Sequence, residues 1–233
     1  MTDFVQAAVG GHPMNIFIAR PSTPGPRPAV LIMHHKGGID EFPRDRAARL
    51  AQAGYVAAVP DLYHRMPGKT PDEQLAGLKD PEIIADIAAT ADYVLAKENA
   101  RADGLAILGH CMGGRLAYLG ASVDSRFRAM VAYYSGNMFK PWGIPSPTPF
   151  ERLKDLRAPV MGFYGNDDKN PSPADVDKLD AELTRLGVRH SFHRYDGAGH
   201  AFQNFAAPAS HRQAAADDSW AKTLRFLGDE LKP

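Results

Sequence analysis

The sequence predicts an α/β fold: a mostly parallel central sheet with an antiparallel N-terminal start and helices on both faces. Three observations carry that expectation. Short apolar runs alternate with helix-period stripes from Ala29 onward. The runs are continuously apolar rather than alternating, as strands covered on both faces require. Turn and cap residues punctuate their boundaries.

Phe4 to Val9 and Asn15 to Arg20 are β-leaning runs separated by Gly10-Gly11-His12-Pro13-Met14, which predicts the antiparallel start. Pro21 to Pro28 is a connecting loop, because proline has no amide to give a ladder. Further strands are expected at Ala29 to His34, Tyr55 to Val59, Gly104 to Leu108, Ala129 to Tyr134, Pro159 to Tyr164 and Arg189 to Tyr195. Between them, Ile83, Ile84, Ile87, Ala91, Val94 and Leu95 form one helical stripe, and Val176, Leu179, Leu183 and Leu186 another. Trp220, Leu224, Leu227 and Leu231 mark a final helix. Ser172-Pro173-Ala174-Asp175 reads as an N-cap with proline at N1 and an acid at N3, while Gly54 and Gly187 suit the positions just past helix ends. Two long connections, Leu62 to Asp80 and Ser135 to Arg157, follow strand C-termini, the edge at which open α/β sheets bind ligands.

A length of 233 residues suits one domain spanning 1–233 with a substantial core. The 27 basic and 27 acidic residues balance and are scattered, so the chain carries no electrostatic footprint for nucleic acid. A single cysteine excludes an intramolecular disulfide, and no apolar stretch reaches the roughly 20 residues that span a bilayer. The N-terminus has neither a basic start nor an apolar core of a signal segment. These features predict a soluble cytoplasmic protein without nucleic-acid or membrane partners, and they leave its oligomeric state open.

That cysteine, Cys111, lies in Ile107-Leu108-Gly109-His110-Cys111-Met112-Gly113-Gly114, which reads as a buried strand, a cramped turn and a helix start. G-x-C-x-G is the spacing of a nucleophile elbow, with glycines where a Cβ would strike the neighbouring strand and helix. An acid follows in Gly165-Asn166-Asp167-Asp168, then a histidine in Gly197-Ala198-Gly199-His200. A cysteine attacks as thiolate and needs a base or a positive neighbour, which His200 supplies; Asp168 would orient its imidazole. The helix start also aims positive dipole at the sulfur. The Met112 amide is then placed to bind an oxyanion, and the second donor is expected from His34-His35-Lys36-Gly37-Gly38, with Lys36 as the amide.

Gly109 to Tyr118, with Pro60-Asp61-Leu62-Tyr63, Tyr164 to Pro171 and Gly199-His200-Ala201-Phe202, resembles the dienelactone hydrolase family of cysteine-dependent α/β-hydrolases. The similarity runs from about Ala29 to the last helix. It implies an ester or lactone hydrolase with Cys111 as nucleophile, Asp168 as acid and His200 as base, needing no cofactor. Asp168 rather than Asp167 keeps the family's G-x-x-D spacing. The resemblance also marks two departures: His35 replaces a glutamate that faces the resting cysteine, so His35 is a candidate substrate-binding residue. Asn204 replaces an arginine that binds a substrate carboxylate. An asparagine cannot supply the charged fork a carboxylate prefers, so a neutral ester or lactone is the expected substrate.

Other readings of the same residues stay open. The site could serve a phosphotriester or thioester, or the chain could be a non-catalytic binding module that kept the fold. His34 and His35 with His64 or His110 lack metal-ligand spacing, so no metal is predicted. Tyr63, His64, Arg65, Met66, Trp142 and Phe150, in the long connections, either line a pocket or anchor those segments.

Overall fold

A computed structural model describes the chain from Met1 to Pro233. Strands β1 (Thr2–Val9) and β2 (His12–Ala19) form the expected antiparallel hairpin, and β2 pairs antiparallel with β4 (Val56–Pro60). Strands β3 (Arg27–Met33), β4, β5 (Ala100–His110), β6 (Phe127–Tyr133), β7 (Val160–Gly165) and β8 (His190–Tyr195) run parallel. The sheet order is β1-β2-β4-β3-β5-β6-β7-β8. From β3 the chain first adds β4 on one side and then crosses to add β5 on the other. The strand order therefore reverses at β3, and the C-terminal ends of β3 and β5 flank the switch point at which sheets of this kind bind ligands.

The period of two along each strand divides the core. Ala29, Leu31 and Met33 of β3 and Leu105 and Ile107 of β5 join one apolar cluster; Val30, Ile32, Ala106 and Leu108 join the other. The first is covered by α3 (Asp80–Lys97), α4 (Met112–Val123) and α5 (Pro173–Arg185), through residues such as Ile87, Leu116 and Leu179. The second is covered by α1 (Glu41–Gln52) and α6 (Gln213–Leu231), through Leu50, Trp220 and Leu227. Each buried leucine, isoleucine, valine or methionine of these clusters contributes about 1.5–3 kcal/mol by leaving water, so the parallel strands need cover on both faces.

The helix boundaries follow local chemistry. Ser172 and Asp175 make a reciprocal capping box at the start of α5, and Gly54 and Gly187 adopt φ of 96° and 69° just beyond α1 and α5. Several strand ends differ from expectation. β3 stops at Met33 and β6 at Tyr133, so His34 and Tyr134 leave the sheet; Tyr134 turns to φ 38°. β5 starts earlier, at Ala100, because Arg27 pairs with Ala100 across a register irregularity. The connection after β4 is not plain loop either: it contains α2 (Pro71–Gly77), capped by a Thr70–Glu73 box. A 3-10 turn at Glu151–Asp155 closes the connection after β6. No helix is long and apolar enough to cross a membrane.

Candidate active site

Cys111 stands between the end of β5 and the first residue of α4, with φ 57° and ψ −120°. That left-handed backbone is strained for a residue with a Cβ and persists only where its surroundings dictate it. Here they do. A Cβ on Gly109 would collide with the carbonyl of Gly113, and one on Gly113 with the carbonyl of Met33, so β5, α4 and β3 approach as only glycine permits. The Cys111 amide continues the ladder by donating to Tyr133 O at 3.0 Å. The side chain is half-buried and packs against both core clusters.

The acid and histidine arrive on two loops locked together at Gly165, where a Cβ would strike the Ala198 carbonyl. The Asp167 amide donates to Ala198 O at 2.9 Å, leaving that exposed side chain outside the site. Asp168 is buried. Its Oδ2 accepts from His200 Nδ1 at 2.9 Å, and its Oδ1 accepts from the Asn170 amide at 2.9 Å. Burial works against a charge on His200, but hydrogen bonding to Asp168 and to Cys111 overcomes it and raises the imidazole to about 10. The histidine therefore favours its protonated form at neutral pH.

Both residues expected to donate to an oxyanion touch Tyr63. Its hydroxyl donates to Lys36 O at 3.1 Å and lies 3.4 Å from Met112 Sδ. Met112 opens α4, so its amide has no intrahelical acceptor. The ammonium of Lys36 is turned outward, paired with Asp72 of α2. His35 lies beside this loop with its Nε2 2.9 Å from Asp40 Oδ2, at the start of α1. Asn204 is buried and its Oδ1 accepts from the Ala206 amide at 3.0 Å.

The other residues of the long connections divide. Tyr63 belongs to the site, whereas His64 and Arg65 are committed to the buried Asp86. Met66 packs against Gly77, and Phe150 against Phe139 with centroids 4.9 Å apart. Trp142 lies over the Arg115 guanidinium at 3.9 Å and lines a cavity of about 340 Å³ with Leu75 and Leu78. The histidines serve separate partners, and no three metal-binding side chains converge.

Three contributors escape sequence reasoning. Tyr134 places its ring edge on His200, centroids 5.1 Å apart, with its buried hydroxyl unpartnered. Asn170 holds the second oxygen of Asp168 through its backbone, which no side-chain pattern announces. Arg115, one turn after Cys111, is fully buried; it binds both oxygens of Asp80 at 2.6 and 3.0 Å and the carbonyls of Asn137 and Lys140.

This geometry has counterparts. The sequence pattern of the dienelactone hydrolase family matches residues 14–231. A Synechocystis protein named "Putative carboxymethylenebutenolidase" is 32% identical, covering 93% of this chain and 92% of its own length. A Bradyrhizobium protein named "Probable 2-oxo-3-(5-oxofuran-2-ylidene)propanoate lactonase" is also 32% identical, covering 97% and 93%. The solved structure of a "Putative Dienelactone Hydrolase" from Klebsiella pneumoniae superposes with a TM-score of 0.86 at 29% identity, covering 98% of this chain and 99% of the other. With the strand order, the glycine-bounded turn and this match along nearly its whole length, the chain belongs to the dienelactone hydrolase family and has the α/β-hydrolase fold.

Proposed function

We propose that the chain hydrolyses a neutral carboxylic ester or lactone through an acyl-cysteine on Cys111, with residues 1–233 acting as one catalytic domain. The observation that carries this reading is the imidazole of His200, hydrogen-bonded to the buried Asp168 and raised by Cys111 as well, together with a cysteine held in a glycine-bounded turn. The proton resting on His200 suits a thiolate that attacks directly. Its Sγ adds to the carbonyl carbon, and the oxygen becomes an oxyanion held by the amides of Met112 and Lys36. Each such donor contributes about 3–4 kcal/mol in comparable sites. When the tetrahedral intermediate collapses, the alkoxide leaves with the proton from His200. The imidazole, now neutral, takes a proton from water as that water attacks the thioester carbonyl. Collapse releases the carboxylic acid and restores the thiolate–imidazolium pair. These steps call on no cofactor.

Two positions support a neutral substrate. Asn204 offers no charge and its carbonyl oxygen is already used in its own turn. The only side-chain cation on the oxyanion loop, Lys36, is paired outward with Asp72. His35 remains in the reading as a substrate-facing neighbour, through the part of its ring that Asp40 does not occupy.

The test is intact mass spectrometry within seconds of adding p-nitrophenyl acetate, with nitrophenol release followed beside Cys111→Ala. An acetyl adduct that needs Cys111 and then clears with turnover is the expected result. No adduct and no Cys111-dependent release would overturn the reading. Preference for carboxylate-bearing lactones over neutral aryl esters would overturn the substrate class alone.

A further inference from the structure

We propose that His34 is a positioning residue of the oxyanion hole: it grips the carbonyl of His35 and thereby aims and polarises the Lys36 N–H of the same peptide unit. The inference rests on the reading of Lys36 as an oxyanion donor and goes beyond it, because His34 touches neither substrate nor sulfur.

His34 is the first residue beyond β3 and is 1% exposed. Its Nδ1 lies 2.7 Å from His35 O, and its Nε2 accepts from the Leu62 amide at 3.2 Å. A carbonyl oxygen only accepts and an amide only donates, so Nδ1 carries the hydrogen and Nε2 is bare. An imidazolium could not accept from Leu62. The two partners therefore hold one neutral tautomer, in keeping with burial that pushes this imidazole down to about 4.

The grip falls on a consequential peptide. The oxygen of His35 takes a second donor, the Gly38 amide at 3.0 Å. The bond between His35 and Lys36 is trans, since the chain's one cis peptide is Asn170–Pro171. In a trans peptide the C=O and the N–H point to opposite sides, so two donors on the oxygen fix the direction of the Lys36 N–H. That N–H has no acceptor within the protein. Donation to the carbonyl also strengthens the N–H as a donor, because hydrogen bonds in a chain polarise one another.

The next carbonyl is held as well. Tyr63, one residue beyond the Leu62 amide, donates to Lys36 O at 3.1 Å, and its ring packs on His34 with centroids 4.9 Å apart. Both peptide units around Lys36 thus take side-chain donors, one from His34 and one from Tyr63, over the segment 62–63. An oxyanion hole works by preorganisation, and these two side chains supply it on the side that the α4 helix does not reach.

The test compares two reactions of Cys111 in the full chain. Acylation by p-nitrophenyl acetate passes through an oxyanion; alkylation by iodoacetamide displaces iodide from a saturated carbon and does not. For His34→Leu, kcat for acylation should fall about 10- to 100-fold with KM nearly unchanged, short of the roughly 100- to 1000-fold for a lost donor. Alkylation should stay within about two-fold. His34→Gln should recover most of the rate, because its amide can donate to His35 O and accept from Leu62 N–H. Should His34→Leu not fold, Tyr63→Phe carries the test, with a smaller acylation loss and unchanged alkylation. The proposal is overturned if acylation and alkylation fall together, if acylation does not change, or if His34→Gln is as slow as His34→Leu. Failure of the Cys111 reading itself would look different: the unaltered protein would not be acylated at Cys111.

Discussion

The turn at Cys111 and the connection 135–157 sit side by side and are held by different means. The turn is fixed by sterics: within Gly109–Gly114 each small residue marks a place where strand, helix and neighbouring carbonyl leave no room for a Cβ. The segment 135–157 is anchored in the core by Met138, Leu153 and Leu156 and is tethered by polar contacts from far along the chain. Arg115 clamps Asn137 O and Lys140 O, and Asp80 accepts from the Trp142 amide at 2.9 Å. Steric necessity within six residues writes itself into a sequence as glycine spacing. A tether across tens of residues does not.

The contrast breaks most directly at Gly113. Alanine there would strike the Met33 carbonyl and lie 2.8 Å from that of His34, both backbone atoms that cannot swing away. Gly113→Ala should cost about 5 kcal/mol or more, a size reserved for such backbone conflicts. An unchanged urea midpoint would show that the turn is not sterically determined.

On the tether side, Arg115→Met should cost about 3–5 kcal/mol, since it strands the fully buried Asp80 carboxylate without its partner. The double variant with Asp80→Leu should recover part of that stability, because removing both charges removes the desolvation cost. Limited proteolysis should move to 135–157 in the single variant. If the double variant is as unstable as the single one, packing rather than pairing holds the segment.

The same contrast explains what could be read from the sequence. The alternating strands, the antiparallel start and the Cys111, Asp168 and His200 positions follow from local runs and glycine-flanked loops. Arg115 reads as an ordinary helix cation until the fold buries it under Trp142. His34 reads as a strand residue until β3 ends one position before it. The helix α2 was locally signalled by Thr70-Pro71-Asp72-Glu73, a capping-box pattern ahead of a short helix. It was obscured because α2 buries none of its residues and so shows no apolar stripe.

Two other local devices, the His200 imidazole and the cap of α2, should answer pH at opposite ends. His200 is raised from 6.5 to about 10, so its favourable contribution is complete below about 6.5 and is lost as pH rises through about 10. Thermal midpoints of the unaltered protein and His200→Gln should therefore converge as pH climbs across that window. A constant gap would mean that the imidazole proton is not held by its neighbours. Glu73 shifts the other way: hydrogen bonds from the Thr70 amide and hydroxyl hold its carboxyl below the usual range. The capping of α2 is thus present above that range and lost as pH falls.

The smallest effect separates local from global stability. Thr70 Oγ1 accepts from the Glu73 amide, and Glu73 Oε2 accepts from the Thr70 amide at 2.8 Å. Thr70→Ala removes one half of that exchange and should open α2 more often. Amide exchange within Pro71–Gly77 should quicken roughly five-fold, the worth of one N-cap. Because no residue of α2 is fully buried, the stability of the whole protein read from urea unfolding should move by less than about 0.5 kcal/mol. The Lys36–Asp72 ion pair joins α2 to the loop proposed to hold the oxyanion, between two exposed side chains. An exposed pair of that kind contributes little, so acylation of Cys111 should be unaffected by the loosened helix. A drop in acylation that follows the exchange rate would instead make α2 part of the machinery that shapes the oxyanion loop.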